Sequence, residues 1–397
     1  MKNVAGLLTL RSVAFLLLTS CVVADAQHPG AANSVTPQDG PIQLRSNETR
    51  TQADPSAEEE LQKGTALTSR GAFAEAIPHL LVVRGRVANE YAASFNLALC
   101  YAATGKFAPA IQILAELRAT GHDNADVNNL LAQAYIGNSQ DRNALDALQR
   151  AASFAPSNEK LYTLVADACM AKQNYAFGLQ VTDLGLAHIP ASAKLHYEHG
   201  MFLSLLDQFD SAKKDFDLAR TLFPESAIAF IAEAQQSMLA GNIPEAVRAA
   251  REGISKGHHD FMLLTLLGEA LLGSGIAPGE PAFAEARNAL EKSVEEHPNY
   301  AGSQLALGKL YLLQNRSDDA IARLEMAQQL SPANAAVYSN LASAYQRAGD
   351  LKKAEAVLAV LARLNQEHAE KIRSSPEDHK VSYSGQQMRG IGPPGEK

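Results

Sequence analysis

Small residues return along this chain at a fixed interval. Gly64, Ala98, Ala132, Ala166, Gly200, Ala234, Gly268, Gly308 and Ala342 form one set, and Ala76, Ala110, Ala144, Gly178, Ala212, Ala246, Ala286, Ala320 and Ala354 form a second. Within each set the spacing is 34 residues, save for a single interval of 40. A period of this size marks a stacked architecture in which no unit can bury its apolar face alone. The 397-residue chain therefore predicts one elongated body rather than two or three globular domains.

Apolar residues make up 46% of the chain, enough for a continuous core, but Trp is absent. The abundant Ala suits closely packed helices. A net charge of −8, with no basic stripe to offset it, argues against a nucleic-acid partner. Cys100 and Cys169 fall at nearly equivalent places two units apart. Helix axes lie about 8–10 Å apart, so an intervening unit puts this pair beyond disulfide reach, and both are expected to be buried thiols.

Residues 1–26 read as an export signal. Lys2 and Arg11 precede the short apolar run 13–18, which is too short to span a bilayer. Two processing sites compete. Ala24-Asp25-Ala26 would release a soluble chain, whereas Leu18-Thr19-Ser20-Cys21 resembles a bacterial lipobox, with Cys21 lipidated. Either implies a periplasmic, secreted or outer-membrane-anchored protein, with membrane contact only through an N-terminal lipid anchor. Residues 27–56 are rich in Pro, Gly, Ser, Asn and Gln and read as a flexible linker.

Nine units then run over 57–90, 91–124, 125–158, 159–192, 193–226, 227–260, 261–300, 301–334 and 335–368. In each, apolar or small residues at positions 4, 8 and 11 form one helical face and those at 20, 24 and 27 another. A Gly or polar turn separates the two helices, as at Gly105, Gly241 and Gly349. Pro closes many units at position 32, as at Pro156, Pro190, Pro224, Pro298 and Pro332. Residues 369–397 extend the last helix and end in a Pro/Gly/Ser-rich tail that reads as disordered.

These residues resemble the tetratricopeptide repeat (TPR). The eighth unit carries Leu307-Gly308, Tyr311, Ala320, Leu324, Ala327 and Pro332, and the ninth Leu341-Ala342, Tyr345, Ala354 and Leu358. The second and third units match through Leu97-Ala98, Tyr101 and Ala110, then Leu131-Ala132, Tyr135 and Ala144. The resemblance implies an all-α solenoid of about nine helix-turn-helix repeats, wound as a right-handed superhelix. The departures concentrate in the middle. Gly178 and Thr182 predict a weaker second helix in repeat four, His199 and Glu233 replace Leu at position 7, and residues 275–281 insert a Pro/Gly loop in repeat seven.

Catalytic signatures are missing. No metalloprotease, P-loop, haem-attachment or nucleophile-elbow motif occurs, and too few residues lie outside the repeats to build a catalytic domain. His258-His259-Asp260 reads as a solvated loop, and His196 and His199 as hydrogen-bonded interior side chains rather than metal ligands. No cofactor, metal site or enzyme activity is expected.

What remains is recognition. In the TPR family, positions 2, 5, 9, 12 and 13 face a concave groove. Here they give Tyr197, Met201 and Leu205 in repeat five, then Ile228, Ile231, Gln235, Met238 and Leu239 in repeat six. Met262, Thr265 and Leu272 follow in repeat seven. One reading is an adaptable apolar groove for a peptide or amphipathic helix; the other is that these side chains pack against one another. The carboxylate clamp that some TPR proteins use is absent: Leu61 and Thr65 stand where Lys and Asn are needed, and Asp126 and Leu130 where Lys and Arg are. The expectation is a non-catalytic protein-binding scaffold of the cell envelope. A subunit of an outer-membrane, pilus or secretion assembly, or an enzyme accessory or carrier, fits the same residues.

Overall fold

A computed structural model of the chain describes residues 55–374. These residues are all-α and form nine helix pairs. The pairs are α1 (Pro55–Ser69) with α2 (Phe73–Val83), α3 (Glu90–Ala103) with α4 (Phe107–Ala119), and α5 (Ala125–Gly137) with α6 (Asp141–Phe154). Next come α7 (Glu159–Lys172) with α8 (Tyr175–His188), α9 (Ala193–Leu205) with α10 (Phe209–Leu222), and α11 (Ala227–Leu239) with α12 (Ile243–Ser255). The last are α13 (Phe261–Gly273) with α14 (Pro281–Glu296), α15 (Ala301–Leu313) with α16 (Ser317–Leu330), and α17 (Ala335–Ala348) with α18 (Leu351–Ser374). Residues 1–54 and 375–397, which hold the segment read as an export signal, Cys21, and most of the stretches read as linker and tail, lie outside the described residues. The linker boundary drawn at residue 56 falls inside α1, which begins at Pro55.

Each first helix packs on the first helix of the next pair, from α1 on α3 through to α15 on α17, whereas successive second helices stay further apart. The first helices therefore form the inner, concave wall, and the second helices the outer one.

Three devices recur along the array. First, position 15 adopts a left-handed backbone in all nine repeats, with Gly71, Gly105, Gly241, Gly275 and Gly349 sharing the role with Ser139, Gln173, Asp207 and Asn315. The next backbone N–H then reaches back five residues, as Lys106 N–H does to the Tyr101 carbonyl (2.7 Å) and Asp350 N–H to Tyr345 (2.9 Å). That closes the first helix and aims the second back along it. Second, many first helices are capped by the preceding side chain: Asn89, Asn124, Asn158, Ser192, Asp260 and Asn334 each accept a first-turn N–H. Third, the position-4 side chain donates to the carbonyl six residues upstream, contributed by the closing proline of the previous repeat. Tyr162 reaches Pro156 (2.8 Å), Gln304 reaches Pro298 (2.7 Å) and Tyr338 reaches Pro332 (2.7 Å).

Position 8 is small because position 24 of the same repeat leans on it. A Cβ on Gly64 would sit 2.7 Å from Leu80 Cγ, and one on Gly308 2.6 Å from Leu324 Cγ. Repeat four departs from the sequence expectation. α8 runs the full 14 residues, and Gly178 is occupied space rather than a weak point: a Cβ there would overlap the ring of Phe202 on α9. Thr182, fully buried, donates to the Gly178 carbonyl (3.1 Å). The insertion of repeat seven is anchored too, since Ile276 folds back into the core.

Buried apolar side chains form two bodies. One runs from Ala57 to Phe202 and the other from Tyr197 to Val357. They change over within α9, where Leu195 and Phe202 serve the first body and Tyr197 and Leu203 the second. Repeat five is thus the wall shared by two half-solenoids.

Candidate concave interface

The residues picked out for the groove divide into three kinds. Tyr197 and Ile231, 5% and 2% exposed, are core residues of the second apolar body and cannot meet a partner directly. Thr265 is also buried, donating to the Phe261 carbonyl (2.8 Å) and pairing with Ser293. For these positions self-packing is the right reading: neighbouring first helices lie close enough to cover them. Met201, Ile228, Gln235, Met238, Met262 and Leu272 are half-buried and edge that core. Leu205 and Leu239 are exposed at 41% and 45%. Leu313, also at position 13 and 45% exposed, extends the same row two repeats further. It is a member that the reading of repeats five to seven stopped short of.

A second feature of this wall is electrostatic. Position 9 carries Asp167 in repeat four and Glu269 in repeat seven, and Glu198 sits at position 6 of repeat five. Burial between the helices pushes the Asp167 carboxyl up to about 6 and that of Glu269 to about 7, with Lys194 and Lys309 respectively offsetting part of the effect. Burial likewise drives Glu198 well above the carboxylate range, with the charge of Asp167 adding to it. The Nζ of Lys194 lies 3.8 Å from one Glu198 oxygen, and the other oxygen is buried with no hydrogen-bond partner. Tyr300, at the entry to α15, is raised by burial and then by the charges of Glu269, Asp260 and Asp167. Carboxylates from repeats four and seven thus act on one phenol.

Behind this wall α9 is fixed by a polar joint. Asp215 of α10 accepts from Nδ1 of His196 and of His199, each at 2.7 Å. The second ring nitrogens also face acceptors: His196 Nε2 the Pro190 carbonyl (3.1 Å) and His199 Nε2 the Asp183 carboxylate (3.1 Å). Burial alone would lower His199, but hydrogen bonding and charge from Asp215, then Asp183, raise it. Burial opposes the charge on Asp215 as well, yet the two imidazoles hold it below its ordinary value. A raised histidine contributes stability that is complete below the unfolded value and is lost as pH rises through the folded one. Asp215→Ala leaves both rings short of an acceptor, and thermal unfolding at pH 6 should show a loss of about 1–3 kcal/mol that shrinks by pH 9.

The other motif singled out as a solvated loop is more ordered than expected. Asp260 caps α13 by accepting the Met262 N–H (2.8 Å), and His258 packs on Phe230 (centroids 5.8 Å apart) while donating to the Glu225 carbonyl (2.8 Å). Among the described residues, no group of three His, Cys, Asp or Glu side chains is placed to hold a metal ion. Cys100 and Cys169 are buried free thiols.

The tetratricopeptide repeat family model matches residues 67–134, 279–329 and 318–374, somewhat under half of the chain. Among solved structures, yeast Tom70 is 16% identical over 84% of this chain and 71% of its own, with a TM-score of 0.50. A tetratricopeptide repeat protein from Parabacteroides merdae is 18% identical over 65% of this chain and 100% of its own (TM-score 0.44). The Cut9–Hcn1 hetero-tetramer of the APC/C is 16% identical over 78% and 61% (TM-score 0.46). No curated protein matches the chain. The described residues form an all-α solenoid of helix pairs like those of tetratricopeptide repeats, and the matched segments are such repeats, which serve as protein-interaction scaffolds.

Proposed function

We propose that this protein is a non-catalytic scaffold that binds a peptide or helix of another protein on the concave wall of repeats five to eight. The observation that carries the reading is the row Leu205, Leu239 and Leu313, large apolar side chains left about two-fifths exposed at one position of the repeat. A lone exposed Leu means little, but three at one position of the repeat, interrupted by Gly273 in repeat seven and set beside half-buried Met201, Met238 and Met262, form an adaptable apolar surface. Repeats that hold first helices rigidly present such a row without ordering cost at binding.

The test is a paired substitution, Leu205→Gln with Leu239→Gln, followed by in-cell crosslinking and mass spectrometry of the captured proteins. Both side chains are exposed, so folding is retained. The reading expects loss of the partners that the unaltered chain captures, while Phe154→Gln on the outer wall keeps them; unchanged partners with the paired variant would refute it.

A role in the cell envelope is supported by the resemblance of residues 1–26 to an export signal, with Cys21 as the anchor if the lipobox is used. Labelling with a fatty-acid probe should depend on Cys21, and a Cys21→Ala chain that labels equally would exclude the anchor. Neither nucleic acid nor a cofactor enters this reading.

A further inference from the structure

The carboxylates of the concave wall lack the partners that their placement calls for. Asp167 and Glu269 make no hydrogen bond or ion pair among the described residues, although both are half-buried. Glu198 keeps one oxygen buried and unpaired. Charge removed from water without a hydrogen-bonding partner is unfavourable, so this arrangement weakens the fold that carries it. The carboxylates lie on α7, α9 and α13 and the apolar row on α9, α11 and α15, so the two sets alternate along the wall of first helices and share α9, which carries both Glu198 and Leu205.

We infer that the concave wall of repeats four to eight takes a cationic amphipathic segment of another protein, its Lys or Arg side chains against Asp167, Glu198 and Glu269 and its apolar residues along Leu205, Leu239 and Leu313. This rests on the groove reading above and names the chemistry of its partner. Charge complementarity selects the occupant. Lys194 and Lys309 are the cations whose charge reaches these carboxyl groups, and Glu159 adds a further negative charge beside Glu198. Neither the segment between the signal-like residues 1–26 and α1 nor the one after α18 supplies the difference. Residues 375–397 balance Lys380, Arg389 and Lys397 against Glu377, Asp378 and Glu396, and residues 27–54 carry Arg45 and Arg50 against Asp39, Glu48 and Asp54. A second copy, with a net charge of −8, would meet the wall with repulsion.

The probe is a pair of fluorescein-labelled 16-residue peptides sharing one leucine pattern, one with lysine and one with glutamate at the polar positions. Each is titrated by anisotropy into the full chain. The lysine peptide should bind at least tenfold more tightly than the glutamate peptide, and its affinity should fall as salt rises. Asp167→Asn with Glu269→Gln should weaken the lysine peptide at least tenfold while raising the melting temperature, so that lost binding cannot be mistaken for unfolding. Equal binding of the two peptides, no binding of either, or full lysine-peptide affinity in the charge variant would overturn the inference. Leu205→Gln with Leu239→Gln separates the two levels: weakened binding of a peptide without charge preference would leave the groove standing and remove only its cation selectivity. Unweakened binding by that paired variant would remove the groove reading too.

Discussion

Replacing Gly178 by alanine should destabilise the solenoid by several kcal/mol, and replacing Phe202 by alanine should do so by about 3–5 kcal/mol. The two are one contact. Phe202 is 1% exposed, and its ring lies where a Cβ on Gly178 would have to go. Relief would require the Phe202 ring to turn away, and that ring is itself buried in the core. Close-packed interiors cannot take up such an overlap without moving backbone. The contact also bridges repeats four and five, where the two apolar bodies meet on α9. In a linear array, losing one interface uncouples everything on either side of it. Chemical denaturation of Gly178→Ala should therefore be broader than that of the unaltered chain and resolve toward two transitions. Gly178→Ala with Phe202→Leu should recover much of the loss, since the smaller side chain vacates the space. Additive losses in the double variant would mean that the two residues do not share a contact.

The second large effect is on pH dependence. Asp167, Glu198 and Glu269 hold their protons more tightly in the folded chain than in the unfolded one. Between the ordinary carboxylate range and about pH 7 the native state therefore binds more protons, and stability falls as pH rises through that window. For Asp167 and Glu269 the penalty is complete above that window, and Glu198 acts in the same direction. Asp123 and Asp215 have the opposite sense: Arg150 holds Asp123 down and the two imidazoles hold Asp215, so their contribution is lost as pH falls through their lowered values. Stability should accordingly peak near pH 5, with the chain melting several degrees higher at pH 5.5 than at pH 8. Glu269→Gln removes a shift from 4.5 to about 7. Allowing for groove water, that is worth roughly 1–3 kcal/mol at pH 8 and little at pH 5. Equal melting temperatures at the two pH values, or a destabilised Glu269→Gln at pH 8, would contradict this picture.

The repeat was legible because its devices are local. A left-handed turn at position 15, a small residue at position 8 under a bulky one at 24, and a cap before the first helix all act within one unit or at its edge, and each leaves a mark at a fixed place. Gly178 was legible as an exception but not for its reason, since its partner Phe202 belongs to the next repeat. His196 and His199 were identifiable as interior side chains, yet the acceptors that explain them, Asp215 and Asp183, come from two other helices. The concave wall was the least legible part. Positions facing inward could be counted, but Tyr197 and Ile231 vanish into the core because neighbouring first helices close over them. The carboxylates of repeats four and seven both bear on Tyr300, a relation between separated repeats that no single repeat encodes.

The central claim is that recognition takes place on the inner wall. A photoreactive residue placed at Leu239, and separately at Phe154 on the outer wall, compares the two surfaces in living cells, both side chains being close to half exposed. The account predicts a discrete crosslinked partner from position 239, competed by the lysine peptide and reduced by Asp167→Asn with Glu269→Gln, and none from position 154. A partner crosslinked from position 154 alone would contradict it.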